Sequence, residues 1–106
     1  MSDFVIRKGD TLPALRMALT ANGAAFDLTG CSVVFQLRAS GGTSLTVDAA
    51  ATVVSAGDGI VQYAWQAGET SAPGRYDGQW VVTTPAGVQT VPTAGFVRVV
   101  IAEGLV

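Results

Sequence analysis

Histidine is absent from this 106-residue sequence, and cysteine occurs once. Without histidine there is no Ser-His-Asp triad, no Cys-His nucleophile and no zinc site of the common kinds. A single cysteine, Cys31, excludes an internal disulfide. Charge is scarce as well. Charged residues make up 13% of the chain, against about 25% in an ordinary soluble domain. Of the six basic residues only Arg7 and Lys8 are adjacent, so the clustered cations that displace counterions from nucleic acid are missing. No apolar run approaches the ~20 residues of a membrane helix. No basic segment followed by an apolar one opens the chain in the manner of a secretory signal. The eight acidic residues are scattered. Asp58 lies between two glycines, yet no oxygen ligands follow at the alternate positions a calcium loop uses, so it reads as a turn residue. Gly57-Asp58-Gly59 likewise lacks the lysine and the helix of a phosphate loop. Nothing recommends the spatial pairing of carboxylates that glycoside hydrolysis requires. The expectation is a protein with no catalytic residues, cofactor, metal or small-molecule substrate, and with neither nucleic acid nor membrane as partner.

What the chain does hold is a high apolar content, 49% hydrophobic, arranged with period two. Gly59 to Thr84 contains both tryptophans and both tyrosines. Val61, Tyr63 and Trp65 alternate onto one face of a first strand; Tyr76, Trp80 and Val82 alternate onto one face of a second. The loop between them, Ala67 to Gly74, is small and polar. Cys31, Val33, Phe35 and Leu37 form another inward row, against Ser32, Val34, Gln36 and Arg38. Phe35, Tyr63, Trp65, Tyr76, Trp80 and Cys31 are therefore the expected structural core, with Cys31 a buried, inert thiol. Thr11 to Thr20 is ambiguous. Leu12, Leu15 and Leu19 have helical spacing, while Leu15, Met17 and Leu19 alternate; the all-β pattern downstream favours a strand. Turn signals at Gly9, Gly23, Gly30, Gly41-Gly42, Gly57 to Gly59, Pro85 to Gly87 and Pro92 to Gly95 separate about seven to nine short strands at the spacing of a β-sandwich. At this length one domain over residues 1–106 is expected.

Gly74-Arg75-Tyr76 places a tyrosine at the start of a late strand, after a polar loop. This is similar to the tyrosine corner of immunoglobulin-like sandwiches, where the hydroxyl bonds backbone a few residues upstream. Gly78 stands where antibody domains carry their second cysteine. The fold expected is thus an all-β, immunoglobulin-like antiparallel β-sandwich with no disulfide, held by packing alone.

Several short motifs add a family resemblance. They are Lys8-Gly9-Asp10-Thr11, Asn22-Gly23, Asp27-Leu28-Thr29-Gly30 and Val33-Val34-Phe35 in the first half. In the second they are Gly59 to Trp65, Gly74-Arg75-Tyr76, Gly87, Val91-Pro92 and Gly95-Phe96. In order and spacing they resemble the immunoglobulin-like N-terminal domain of upper baseplate proteins of tailed bacteriophages. The resemblance spans nearly the whole chain. It implies a non-enzymatic virion structural protein, assembled in the host cytoplasm. Its partners would be copies of itself and other virion proteins of tail, baseplate, neck or capsid surface. In the family the domain anchors a longer chain that supports a receptor-binding protein. A chain ending as this domain ends suggests instead a small stand-alone component.

Scarce charge and abundant alanine point independently to a surface covered by partners. Val53, Ile101, Leu105 and Val106 are the expected interface residues. The competing expectation is a monomeric module whose loops recognise a carbohydrate or host surface. Its loops are Gly, Ala, Ser and Thr, and its aromatics lie in strands, which favours the assembly reading.

Overall fold

The structure, a computed structural model, describes residues 4–21, 23–91 and 96–103. Among these residues every regular element is a strand. They are β1 (Phe4–Arg7), β2 (Leu15–Ala18), β3 (Thr20–Ala21), β4 (Ala24–Ala25), β5 (Ser32–Ala39), β6 (Leu45–Ala50), β7 (Thr52–Ser55), β8 (Ile60–Tyr63), β9 (Gly74–Thr84), β10 (Gly87–Val91) and β11 (Val97–Ala102). Two sheets form a sandwich. The larger runs β1-β11-β9-β5-β6, and the smaller runs β2-β8-β7. β3 and β4 make a separate two-stranded ribbon. The ambiguous Thr11–Thr20 stretch is strand at Leu15–Ala18, paired antiparallel with β8.

β9 organises the larger sheet. Its residues Tyr76 to Thr83 pair with the whole length of β5, from Ala39↔Tyr76 to Ser32↔Thr83. On its other side β11 covers Gly74 to Gly78, and β10 covers Trp80 to Thr84. β10 and β11 thus act as one long partner, interrupted between Val91 and Val97. One pairing departs from the antiparallel expectation: β1 runs parallel to β11, from Phe4↔Val99 to Arg7↔Ala102. It can do so because the connection from β1 onward crosses to the other sheet and β11 arrives from β10.

The alanine-rich stretch 49–55 divides between two strands. β6 closes the larger sheet and β7 opens the smaller, with Ala51 between them donating its N–H to the Val33 carbonyl at 2.9 Å. The chain changes sheet here; the β7–β8 register shifts just beyond, between Val53 and Ser55, and the β5–β6 register shifts at the far end of β6, between Val47 and Leu45.

The core fills the space between the sheets. Phe35 and Trp80 are fully buried with ring centroids 4.7 Å apart; Phe35 and Tyr63 are 5.1 Å apart. Trp65 meets both Phe35 and Tyr63 edge-on, at 6.1 and 5.5 Å. Gly78 makes this cluster possible. A Cβ there would sit 3.1 Å from Phe35 Cε1 and 3.3 Å from Leu37 Cδ1, so the Phe35 ring occupies the room a side chain on β9 would need. Gly59 meets a second constraint. Its φ is +70°, and a Cβ would lie 2.6 Å from the Leu19 carbonyl oxygen. Leu19 N–H in turn donates to the Gly59 carbonyl at 2.8 Å, tying the end of β2 to the start of β8.

Polar groups lock the loops. The Tyr76 hydroxyl donates to the Ala72 carbonyl at 2.6 Å, four residues upstream. The Tyr63 hydroxyl donates to the Glu69 carboxylate at 2.8 Å, and the Gln66 N–H donates to the same carboxylate at 2.7 Å. Burial, with the Glu69 hydrogen bond and charge added, pushes the Tyr63 pKa up. Thr70, also buried, donates to the Asp10 carbonyl at 2.7 Å and accepts from Gly9 N–H at 3.0 Å through its own carbonyl. The β8–β9 loop is thereby fastened to the turn after β1. Asp27 accepts from the Thr29 side chain and backbone, which lowers its pKa.

Candidate interaction surface

The residues singled out from sequence divide into three groups. Phe35, Tyr63, Trp65, Tyr76 and Trp80 are all buried between the sheets. Cys31 stands apart from them. It precedes β5, is half-buried against the core's margin, and its Sγ lies 3.7 Å from the Thr29 carbonyl oxygen. The alternation carried it into the core; the turn after Leu28 lifts it out before the strand begins.

The expected interface residues fare differently. Val53 is half-buried on β7, an edge of the smaller sheet. Ile101 must be corrected: it is 1% exposed and belongs to the core. It shares a phase with Val97 and Val99, and its strand is interior, held between β9 and β1. Such a residue has no surface to offer a partner. Leu105 and Val106 lie outside the described residues.

What the structure offers instead is the outer face of the larger sheet, which has two unlike halves. Toward Ala39 and Val97 it is polar and cross-linked. Gln79 Nε2 donates to Gln36 Oε1 at 2.8 Å, and Gln36 Nε2 donates to Asp48 at 3.3 Å. Ser40 Oγ donates to Asp77 at 3.0 Å, and Arg38 approaches the same carboxylate at 4.0 Å. The Arg38 guanidinium also lies 5.3 Å from the centroid of the exposed Phe96 ring. Gln36, Arg38, Leu45, Asp77, Gln79 and Phe96 line a shallow pocket of about 70 Å³. Toward Ser32 and Val91 the face carries no charge. Val34 pairs with Val81 and Ala50, Val81 with Thr90, and Thr83 with Val88, which is 68% exposed.

Neither half was named from sequence. Phe96 had a signal, since it lies out of phase with Val97, Val99 and Ile101. The uncharged half had none, because only the pairing of β5, β9 and β10 brings its residues together. Among the described residues there is no group of three or more acidic, His or Cys side chains able to hold a metal ion, and no helix long and apolar enough to cross a membrane. Trp65 Nε1 is buried with no hydrogen-bond partner.

No curated protein and no solved structure matches the chain. A family model does, that of the BppU N-terminal domain, and it covers residues 3–104. An all-β sandwich spanning nearly the full sequence, with loops fastened by Tyr76, Glu69 and Thr70, is what that match encloses: the chain belongs to the family of the baseplate upper protein N-terminal domain.

Proposed function

We propose that this protein is a non-enzymatic structural component of a bacteriophage virion, built on one immunoglobulin-like domain over residues 1–106. Its partners are other virion proteins and copies of itself. The observation that carries this reading is the baseplate-domain family match across residues 3–104. Three features support the finer parts. The strand order β11-β9-β5-β6 against β2-β8-β7 has the pattern G-F-C-C′ against B-E-D of a variable-type immunoglobulin sandwich. The Tyr76 hydroxyl reaches back to Ala72 as a tyrosine corner does. The surface carries few charges, with an uncharged half-face on the larger sheet, which suits burial in an assembly.

Virions purified from cells expressing a tagged copy test the reading. Labelled particles viewed by electron microscopy should carry the tag at one discrete, symmetric position. A protein that never co-purifies with particles would sink the proposal. Carbohydrate binding by a monomer has one observation in its favour, the exposed Phe96 beside Arg38 in a shallow pocket. A glycan array would promote that reading if one sugar class bound and Phe96→Ala abolished it.

A further inference from the structure

The two sheets end at β1, β6, β10, β2 and β7. An open edge exposes a row of backbone donors and acceptors, and proteins usually obstruct it with charge, bulges or brevity. Four of these edges are obstructed. β1 has four residues and ends in Arg7, followed by Lys8. β2 has four, with Arg16 among them. β6 carries Asp48 and loses register with β5 at Leu37/Arg38. β7 loses register with β8 between Val53 and Ser55. β10 carries neither charge nor a register shift and, at five residues, is longer than β1, β2 or β7. Gly87-Val88-Gln89-Thr90-Val91 is uncharged, and its ladder to β9 runs unbroken from Gly87↔Thr84 to Val91↔Trp80. Along its far side no strand pairs with it among the described residues.

We propose that β10 pairs antiparallel with β10 of a second copy of this chain, about a two-fold axis through Gln89, joining two large sheets into one. The sequence of the strand suits itself. The axis sets Val88 of one copy opposite Thr90 of the other, twice, and the two Gln89 residues opposite each other. Val88 and Thr90 are β-branched and share the outer face, so they make a favourable cross-strand pair. Charge selects the same partner. The half-face beside β10 (Val34, Ala50, Val81, Thr83) is uncharged, so a charged strand would find no counter-charge there, whereas a second β10 brings none. Isologous pairing of this kind closes on itself and leaves no open edge at β10. One short ladder buries far less than the roughly 1,200 Å² of a stable interface. The contact is therefore weak between free molecules and gains strength when other contacts hold the copies together. It names a contact within the assembly reading above and rests on that reading only for its setting.

Disulfide trapping in the purified protein tests it, in a Cys31→Ser background. Residues directly opposite in an antiparallel ladder have Cα atoms about 4.5–5.5 Å apart, within disulfide reach. Gln89→Cys should give covalent dimers under mild oxidation, and Thr83→Cys, exposed on the same sheet but off the axis, should not. If Gln89→Cys does not fold, mixed Val88→Cys and Thr90→Cys proteins carry the same test, since those positions face each other. In sedimentation at high concentration, Val88→Lys should weaken self-association about tenfold. Trapping of Gln89→Cys no faster than Thr83→Cys, or Val88→Lys that associates like the parent, would overturn the pairing. Trapping without incorporation into particles would remove the virion reading and keep the pairing; incorporation without trapping would do the reverse.

Discussion

Trp80 and Val88 lie against the same strand and live by opposite rules. Trp80 sits midway along β9, fully buried against Phe35 and donating its indole N–H to Met17 Sδ at 3.3 Å. Val88, paired with Thr83 three residues further along β9, is 68% exposed. At the first position β9 has a strand on each side and a second sheet beneath it. Val88 belongs to the edge strand β10 itself, and its side chain points outward, away from the second sheet. The chemistry of the two residues is alike; the number of layers around them differs. At the centre, apolar bulk stabilises the monomer. At the rim it adds little to the fold and instead sets what the surface can meet.

Breaking the centre should have the largest effect. Trp80→Ala removes the ring that Phe35 packs on and strands Met17, and should cost about 3–5 kcal/mol in chemical denaturation. A loss below about 1 kcal/mol would mean that the sheets collapse onto the gap. Next comes the hydroxyl that fastens the entry to β9. Tyr76→Phe keeps the ring and leaves the Ala72 carbonyl without its partner, at a cost of about 1–3 kcal/mol. A loss of only a few tenths would show that water replaces the hydroxyl.

The third test uses pH. The Tyr63 pKa is raised in the folded state, first by burial and then by Glu69. Its contribution is complete below the ordinary tyrosine pKa of about 10 and is lost as pH rises above it. Melting temperature should fall in strongly alkaline buffer, and Tyr63→Phe should flatten part of that fall. An identical alkaline profile in the variant would assign the loss to other groups.

The smallest effect on folding belongs to the rim. Val88→Lys should change monomer stability by no more than about 0.5 kcal/mol, while its effect on self-association is the large one argued above. A substantial loss of stability would show that Val88 is already packed within the monomer and would erase the contrast.

Much of the centre was legible in the sequence. Val33, Phe35 and Leu37, then Val61, Tyr63 and Trp65, then Tyr76, Trp80 and Val82, alternate because a strand between solvent and core must. That pattern yields the sandwich, its inward residues and the tyrosine that closes a loop. It misplaced Cys31 by running the alternation one residue past the start of β5. It misjudged Ile101 because apolar residues near a terminus look the same whether they dock on a neighbour or complete the core.

By itself, then, the sequence determined the period, the inward faces, the turns and the absence of histidine-based catalysis, all local properties of neighbouring residues. Only the tertiary structure decided that β1 runs parallel to β11, that residues 49–55 divide between two sheets, and that β10 is the unobstructed edge. Those depend on which distant strands pair. Pairing is chosen by the free energy of the whole sandwich, which closes a shared core that no single strand can bury alone.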